Sequence, residues 1–189
     1  MTGRGGGEEL HRGGPADPRW TALALGSNLG DREAYLARAR EEIAARFGPI
    51  HKLSRIYETE AVGPAGQGPY LNQVLLLTVS SGAAEMITPL HEIEARLGRQ
   101  RTEIWGARTI DIDILFQGSS VNRDARLTLP HPRLHERPFV LVPLAEVLPE
   151  WRHPVLRLTV AEMLERAGAG GVVPWRARRK PGGAKRARG

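Results

Sequence analysis

Cysteine is absent from this 189-residue chain, which excludes disulfides, thiolate zinc sites and cysteine nucleophiles in one step. No apolar run approaches the roughly 18 residues needed to span a bilayer. The first nineteen residues carry charge and glycine throughout and contain no apolar signal-peptide core. Nothing matches the Walker pattern G-x-x-x-x-G-K-S/T, so a nucleoside triphosphate would have to be held by side chains and metal. No strand has the aromatic-rich pattern with which RNA-binding sheets stack bases, and there is no internal repeat. These absences lead us to expect a cytoplasmic protein that neither enters a membrane nor reads nucleic acid specifically.

What is present amounts to one domain, at roughly 100–200 residues per domain. The formal charge is +6, but it is unevenly placed. Arg176, Arg178, Arg179, Lys180, Lys185, Arg186 and Arg188 stand near the end with no acid among them. Removing that run, and the balanced first nineteen residues, leaves residues 20–175 at −1. The basicity therefore belongs to a tail, too poor in apolar residues to offset its ordering entropy. The expected organisation is a flexible extension over 1–19, a folded domain over 20–168 and a basic, disordered tail over 169–189.

Within the domain, Trp20 to Leu25 reads as an apolar strand, and Gly26-Ser27-Asn28-Leu29-Gly30 turns the chain. Asp31 or Asn28 can cap the helix that follows. Its stripe is Leu36, Ala39, Ile43 and Phe47, and Gly48-Pro49 stops it. A half-buried strand covers Ile50 to Thr59. Tyr70 to Val79 forms another, whose Val74-Leu75-Leu76-Leu77 run implies burial on both faces. A second helix carries Met86, Leu90, Ile93 and Leu97. The next strand alternates strictly, with Ile110, Ile112, Ile114 and Phe116 on one face and Asp111 and Asp113 on the other. A short strand within Val121 to Leu129 and helices over Phe139–Val147 and Val160–Glu165 complete the chain. This order predicts an α+β ferredoxin-like sandwich, an antiparallel sheet with helices on one face and an open face carrying the active site.

Asp111 and Asp113 point the same way from one strand, close enough to share divalent cations. Hard oxygen ligands in low number suit Mg²⁺, which keeps water and phosphate in its remaining positions. A bare D-x-D is ordinary on a solvated face, but Arg99, Arg101, Arg108 and Trp105 stand just upstream. Carboxylates, magnesium and several arginines together are what a triphosphate requires. A metal-dependent nuclease could use the same aspartates. A nucleic-acid-binding module could use the same sandwich and basic tail.

Leu25-Gly26-Ser27-Asn28-Leu29-Gly30, Tyr57-Glu58-Thr59, Gly63-Pro64, Tyr70-Leu71-Asn72, Trp105-Gly106-Ala107-Arg108-Thr109-Ile110-Asp111-Ile112-Asp113-Ile114 and Leu129-Pro130-His131-Pro132 follow in that order. In this the chain resembles 6-hydroxymethyl-7,8-dihydropterin pyrophosphokinase, over residue 20 to about 165. The resemblance implies transfer of the terminal diphosphate of ATP, the co-substrate, to the hydroxymethyl group of a reduced pterin, with release of AMP in folate biosynthesis. It implies that Asp111 and Asp113 hold two Mg²⁺ ions, and that Arg99 and Arg108 act with them on the phosphates. Arg99, Arg101 and Trp105 would come from a mobile loop that closes over ATP, and Ile114, Arg126, Thr128, His131 and Arg137 would bind nucleotide. On the pterin side Thr59 and Asn72 would bond the ring edge, Tyr70 and Phe139 would stack on it, and Val62 would join them. The partners implied are small-molecule substrates, and a monomer is expected. Under the nuclease reading, Thr59, Tyr70 and Asn72 would have no role.

Overall fold

The computed structural model describes residues 20–61, 66–99, 106–124 and 126–177. The first strand, β1 (Trp20–Ser27), runs into α1 (Arg32–Phe47). Next come β2 (Ile50–Leu53), β3 (Tyr57–Thr59), β4 (Tyr70–Thr78) and α2 (Ala83–Arg96). The chain continues through β5 (Asp111–Gln117), a hairpin of β6 (Asn122–Asp124) and β7 (Leu127–Leu129), α3 (Pro138–Val147), α4 (Val160–Ala167) and β8 (Val173–Pro174). The main sheet has the order β5-β1-β4-β3-β8, with β2 also pairing β4. Its pairings are all antiparallel. This is the predicted ferredoxin-like α+β sandwich.

The single strand expected over Ile50 to Thr59 is two short ones on the same partner. Ser54 makes the break: its backbone N–H donates to Val74 O at 2.9 Å, and its Oγ accepts from Val74 N at 3.0 Å. Asp31 caps α1 by accepting from Ala34 N at 3.1 Å, which leaves Asn28 free for another task described below. Gly98, beyond α2, takes a positive φ of 82°, a backbone conformation that a side chain would strain.

Each strand of the centre serves two apolar layers. Leu71, Leu75 and Leu77 of β4, with Leu23 and Leu25 of β1, pack against Leu36, Ile43, Met86, Leu90 and Ile93 of α1 and α2. Val74 and Leu76 face the other way, with Ala22, toward Leu141, Leu144, Trp151, Val160 and Met163. The both-faces burial read from Val74 to Leu77 is what the sheet shows. One expectation fails here. Phe116 was grouped with the isoleucines, yet Ile110, Ile112 and Ile114 lie in the α1/α2 layer while Phe116 lies in the other. The cause is a β-bulge. Leu23 pairs with Ile114 and Ala22 with Phe116, so Leu115 is an extra residue that reverses the alternation. Phe116 then stacks on Trp151, ring centroids 3.9 Å apart, and the indole Nε1 donates to Gly118 O at 3.1 Å.

The second layer covers only half of its face. Along β4 the residues on that side change from Leu76 and Val74 to Asn72 and Tyr70. Along β5 they change from Phe116 to Asp113 and Asp111, and along β1 from Ala22 to Gly26. The apolar half lies under α3 and α4, and the polar half opens as the floor of a cavity.

The boundary expected at residue 168 also moves. Val173 and Pro174 pair with Glu58 and Tyr57, and Trp175 packs against the α1/α2 layer. The folded unit therefore reaches Trp175, because the free edge of β3 still had hydrogen-bonding groups to satisfy. The segments read as flexible or disordered at 1–19 and 178–189 lie outside the described residues.

Candidate active site

The cavity holds about 760 Å³ and is lined by β1, β3, β4 and β5, by Arg99 and by Gly106 to Arg108, and by the 3₁₀ turn Leu134–Glu136 with the start of α3. Asp111 and Asp113 stand on its floor, as the alternation of β5 requires. Asp111 is gripped from two sides: Arg99 Nη1 lies 2.7 Å from its Oδ1 and Arg108 Nη1 lies 2.8 Å from its Oδ2. Asp113 has a looser partner in Arg137, at 4.0 Å. Its side chain keeps 43% of its surface and lines the cavity. Burial, then the neighbouring Asp111 carboxylate, push Asp113 up to about 6, with Arg137 opposing.

Two supports of this cluster were not anticipated from the sequence. Glu94, 2% exposed on α2, accepts from Ile112 N at 2.8 Å and from Arg99 Nη1, so it holds both the aspartate strand and the arginine beside it. An acid four residues after Leu90 and beside Ile93, on the apolar stripe of α2, was the available signal. Asn28 is the other. Its Oδ1 accepts from Arg108 N at 2.7 Å and its N–H donates to Arg108 O at 3.1 Å, while Nδ2 donates to Gln67 Oε1 at 3.1 Å. The residue read as a possible helix cap instead clamps the loops on both sides of the cavity mouth.

In the same cavity the expected pterin-side residues come together. Thr59 and Tyr70 are register partners, and Asn72 Nδ2 donates to Thr59 Oγ1 at 2.9 Å. Phe139 enters from α3, with the Arg137 guanidinium 5.7 Å from its ring centroid. Gly26 lies among these residues and Asp111: a Cβ there would meet Tyr70 at 3.6 Å, Asn72 at 3.7 Å and Asp111 at 3.9 Å.

His131 also lines the cavity, and its Nδ1 accepts from Arg133 N at 3.2 Å. Burial, then Arg137, lower it to about 4, so the ring is neutral near pH 7. The unfolded chain, at an ordinary histidine pKa of about 6.5, binds that proton more readily. The contribution of His131 is therefore complete above about pH 6.5 and declines as pH falls toward 4. Thermal melts of the parent and of His131→Asn check this: the parent should lose more Tm than the variant between pH 7 and pH 5. Equal losses would remove His131 as the source.

Not every expected residue reaches the cavity. Ile114, expected on the nucleotide side, has its side chain in the α1/α2 layer, because it follows Ile112 on the opposite face from Asp113. Arg126 and Thr128 sit on the β6–β7 hairpin. Thr128 lines a separate apolar cavity of about 200 Å³, and Arg126 is exposed. Val62, Arg101 and Trp105 lie outside the described residues. Arg133, Glu136 and Glu60 line the cavity without having been anticipated.

A model of the 7,8-dihydro-6-hydroxymethylpterin-pyrophosphokinase (HPPK) family matches residues 22–149. A 2-amino-4-hydroxy-6-hydroxymethyldihydropteridine pyrophosphokinase of Synechocystis is 38% identical over 161 residues, covering 85% of this chain and 82% of the relative. One from Aquifex aeolicus is 40% identical over 140 residues, 74% of this chain and 87% of the relative. A Plasmodium falciparum HPPK-DHPS structure with pteroate superposes at a TM-score of 0.61 and 15% identity, over 78% of this chain. This chain spans 43% of that longer one, and the likeness bears on the fold alone. With two thirds of its length matched by the family and close relatives along most of theirs, the chain belongs to the 7,8-dihydro-6-hydroxymethylpterin-pyrophosphokinase family and transfers diphosphate from ATP to hydroxymethyldihydropterin in folate biosynthesis.

Proposed function

We propose that the transfer depends on Mg²⁺, two ions held by Asp111 and Asp113, and that it takes place over Gly26. The observation that carries this reading is one cavity in which paired carboxylates ringed by Arg99, Arg108 and Arg137 stand together with Thr59, Asn72, Tyr70 and Phe139. The donor set fits magnesium. Among the described residues no group of three or more His, Asp or Glu could hold a metal unaided, so an ion here draws on water and phosphate oxygens as well. The repulsion that raises Asp113 is what a bound cation relieves. When bound, the metal neutralises charge that develops on the phosphate oxygens.

The chain's own residues do the rest by positioning. Arg99, fixed by Glu94, and Arg108, fixed by Asn28, present guanidinium groups to the phosphates, and Arg137 and His131 continue the nucleotide side. Arg101 and Trp105 join them in this assignment by position in the sequence. Thr59 and Asn72 offer a hydroxyl and an amide to the pterin edge, and the rings of Tyr70 and Phe139 offer stacking faces. Alignment of the pterin hydroxyl with the β-phosphorus at near 3 Å can supply about 7–11 kcal/mol, so no covalent intermediate is required. The enzyme acts as a cytoplasmic monomer on small molecules. Among the described residues no helix is long and apolar enough to cross a membrane.

Incubation with ATP, 6-hydroxymethyl-7,8-dihydropterin and magnesium, followed by resolution of the nucleotides, tests this. AMP should appear in equal amount to pterin diphosphate, only with pterin present, and should vanish with chelator and return with added Mg²⁺. ADP as the main product, or undiminished AMP in chelator, would overturn the reading.

A further inference from the structure

We infer that Arg32 and Trp175 form a clasp that positions the pterin-binding residues Thr59 and Tyr70; the inference rests on the pterin-side assignment above. Arg32 opens α1 and does not line the cavity. Its Nη1 donates to Glu58 Oε1 at 2.8 Å and to Pro69 O at 2.7 Å. Glu58 immediately precedes Thr59, and Pro69 immediately precedes Tyr70. One nitrogen, with one hydrogen for each acceptor, thus ties β3 to β4 at the point where their cavity residues face each other.

The indole of Trp175 covers that nitrogen's group. The Arg32 guanidinium carbon lies 5.0 Å from the ring centroid, and the Arg32 side chain is only 19% exposed. Trp175 is held in turn by its backbone N–H, which donates to Ile56 O at 2.9 Å, and by Nε1, which donates to Glu33 Oε2 at 3.4 Å. The β8 pairing with Tyr57 and Glu58 fixes the approach of the chain. An ion pair partly buried beneath an aromatic face resists water better than an exposed one does. The shielding residue lies beyond residue 149, where the family match ends. The C-terminal segment thereby sets the spacing of Thr59, Tyr70 and, through the Thr59 hydroxyl, Asn72.

A positioning role of this kind falls on one substrate and not on the other. In steady-state kinetics with the full chain, Trp175→Ala and Arg32→Met should each raise the KM for the dihydropterin about tenfold, the scale of one shielded cation–π contact. Both kcat and the KM for ATP should stay within about twofold, and Trp175→Phe should recover most of the loss. Asn72→Ala serves as the reference for the pterin site. If Asn72→Ala raises the pterin KM while Trp175→Ala and Arg32→Met do not, the clasp is refuted and the site stands. If Asn72→Ala leaves the pterin KM unchanged, the site is misassigned and the clasp falls with it. A parallel rise in both KM values would show general loosening and refute positioning. Should Trp175→Ala fail to fold, Arg32→Met and Trp175→Phe decide alone.

Discussion

Asp113→Ala is expected to lower diphosphate transfer by about a thousandfold or more, the scale set by losing one preorganised group that stabilises transition-state charge, without lowering Tm. Among the described residues the Asp113 carboxylate has a loose ion pair, a 4.0 Å contact with Arg137. Burial and the like charge of Asp111 both raise its pKa, so its removal relieves desolvation and repulsion. Asp111→Ala should abolish transfer too, but it should destabilise the protein as well. Its carboxylate separates Arg99 from Arg108, both mostly buried at 14% and 21% exposure, and truncation leaves two guanidinium groups facing each other with less compensation. Activity assays and thermal melts of both variants, side by side, separate the two roles. A Tm loss for Asp113→Ala equal to that for Asp111→Ala would show that the carboxylates are structural partners alike.

Gly26→Val is expected to cost about a hundredfold in kcat/KM, comparable to a misplacement of about 1 Å between reacting groups, again with little change in Tm. A Cβ at this position meets its neighbours at 3.6 to 3.9 Å, which is ordinary contact, so the fold accommodates it. A β-branched residue also suits a central strand. The added methyl groups occupy the floor between Tyr70 and Asn72 on one side and Asp111 on the other, where the pterin hydroxyl and the phosphate chain must meet under the assignment above. Gly26→Ala should fall between parent and valine. Full activity in Gly26→Val would mean that the substrates meet elsewhere.

Local regularity was legible where it decided the outcome. The alternation of β5 is enough to send Asp111 and Asp113 to one side, and the Val74 to Leu77 run is enough to bury β4 on both faces. The ordered motifs from Leu25 to Pro132 identified the family without reference to any fold. Periodicity could not register the extra residue at Leu115, because a bulge exists only relative to a partner strand, and it is the pairing with Ala22 and Leu23 that sends Phe116 to Trp151. The same holds for side chains whose meaning lies in a distant contact. Glu94 reads as a flaw in an apolar stripe until Arg99 and Ile112 N fold against it. Asn28 reads as a helix cap until Arg108, eighty residues on, brings its backbone to it. Trp175 reads as the start of a tail until β3 offers it an edge. Composition, period and motif act within a few residues of chain and so settle element type, face and chemistry. Which polar groups find partners across eighteen to one hundred and forty-two residues is decided only when the sheet closes, since buried donors and acceptors must then be satisfied by whatever the topology brings near.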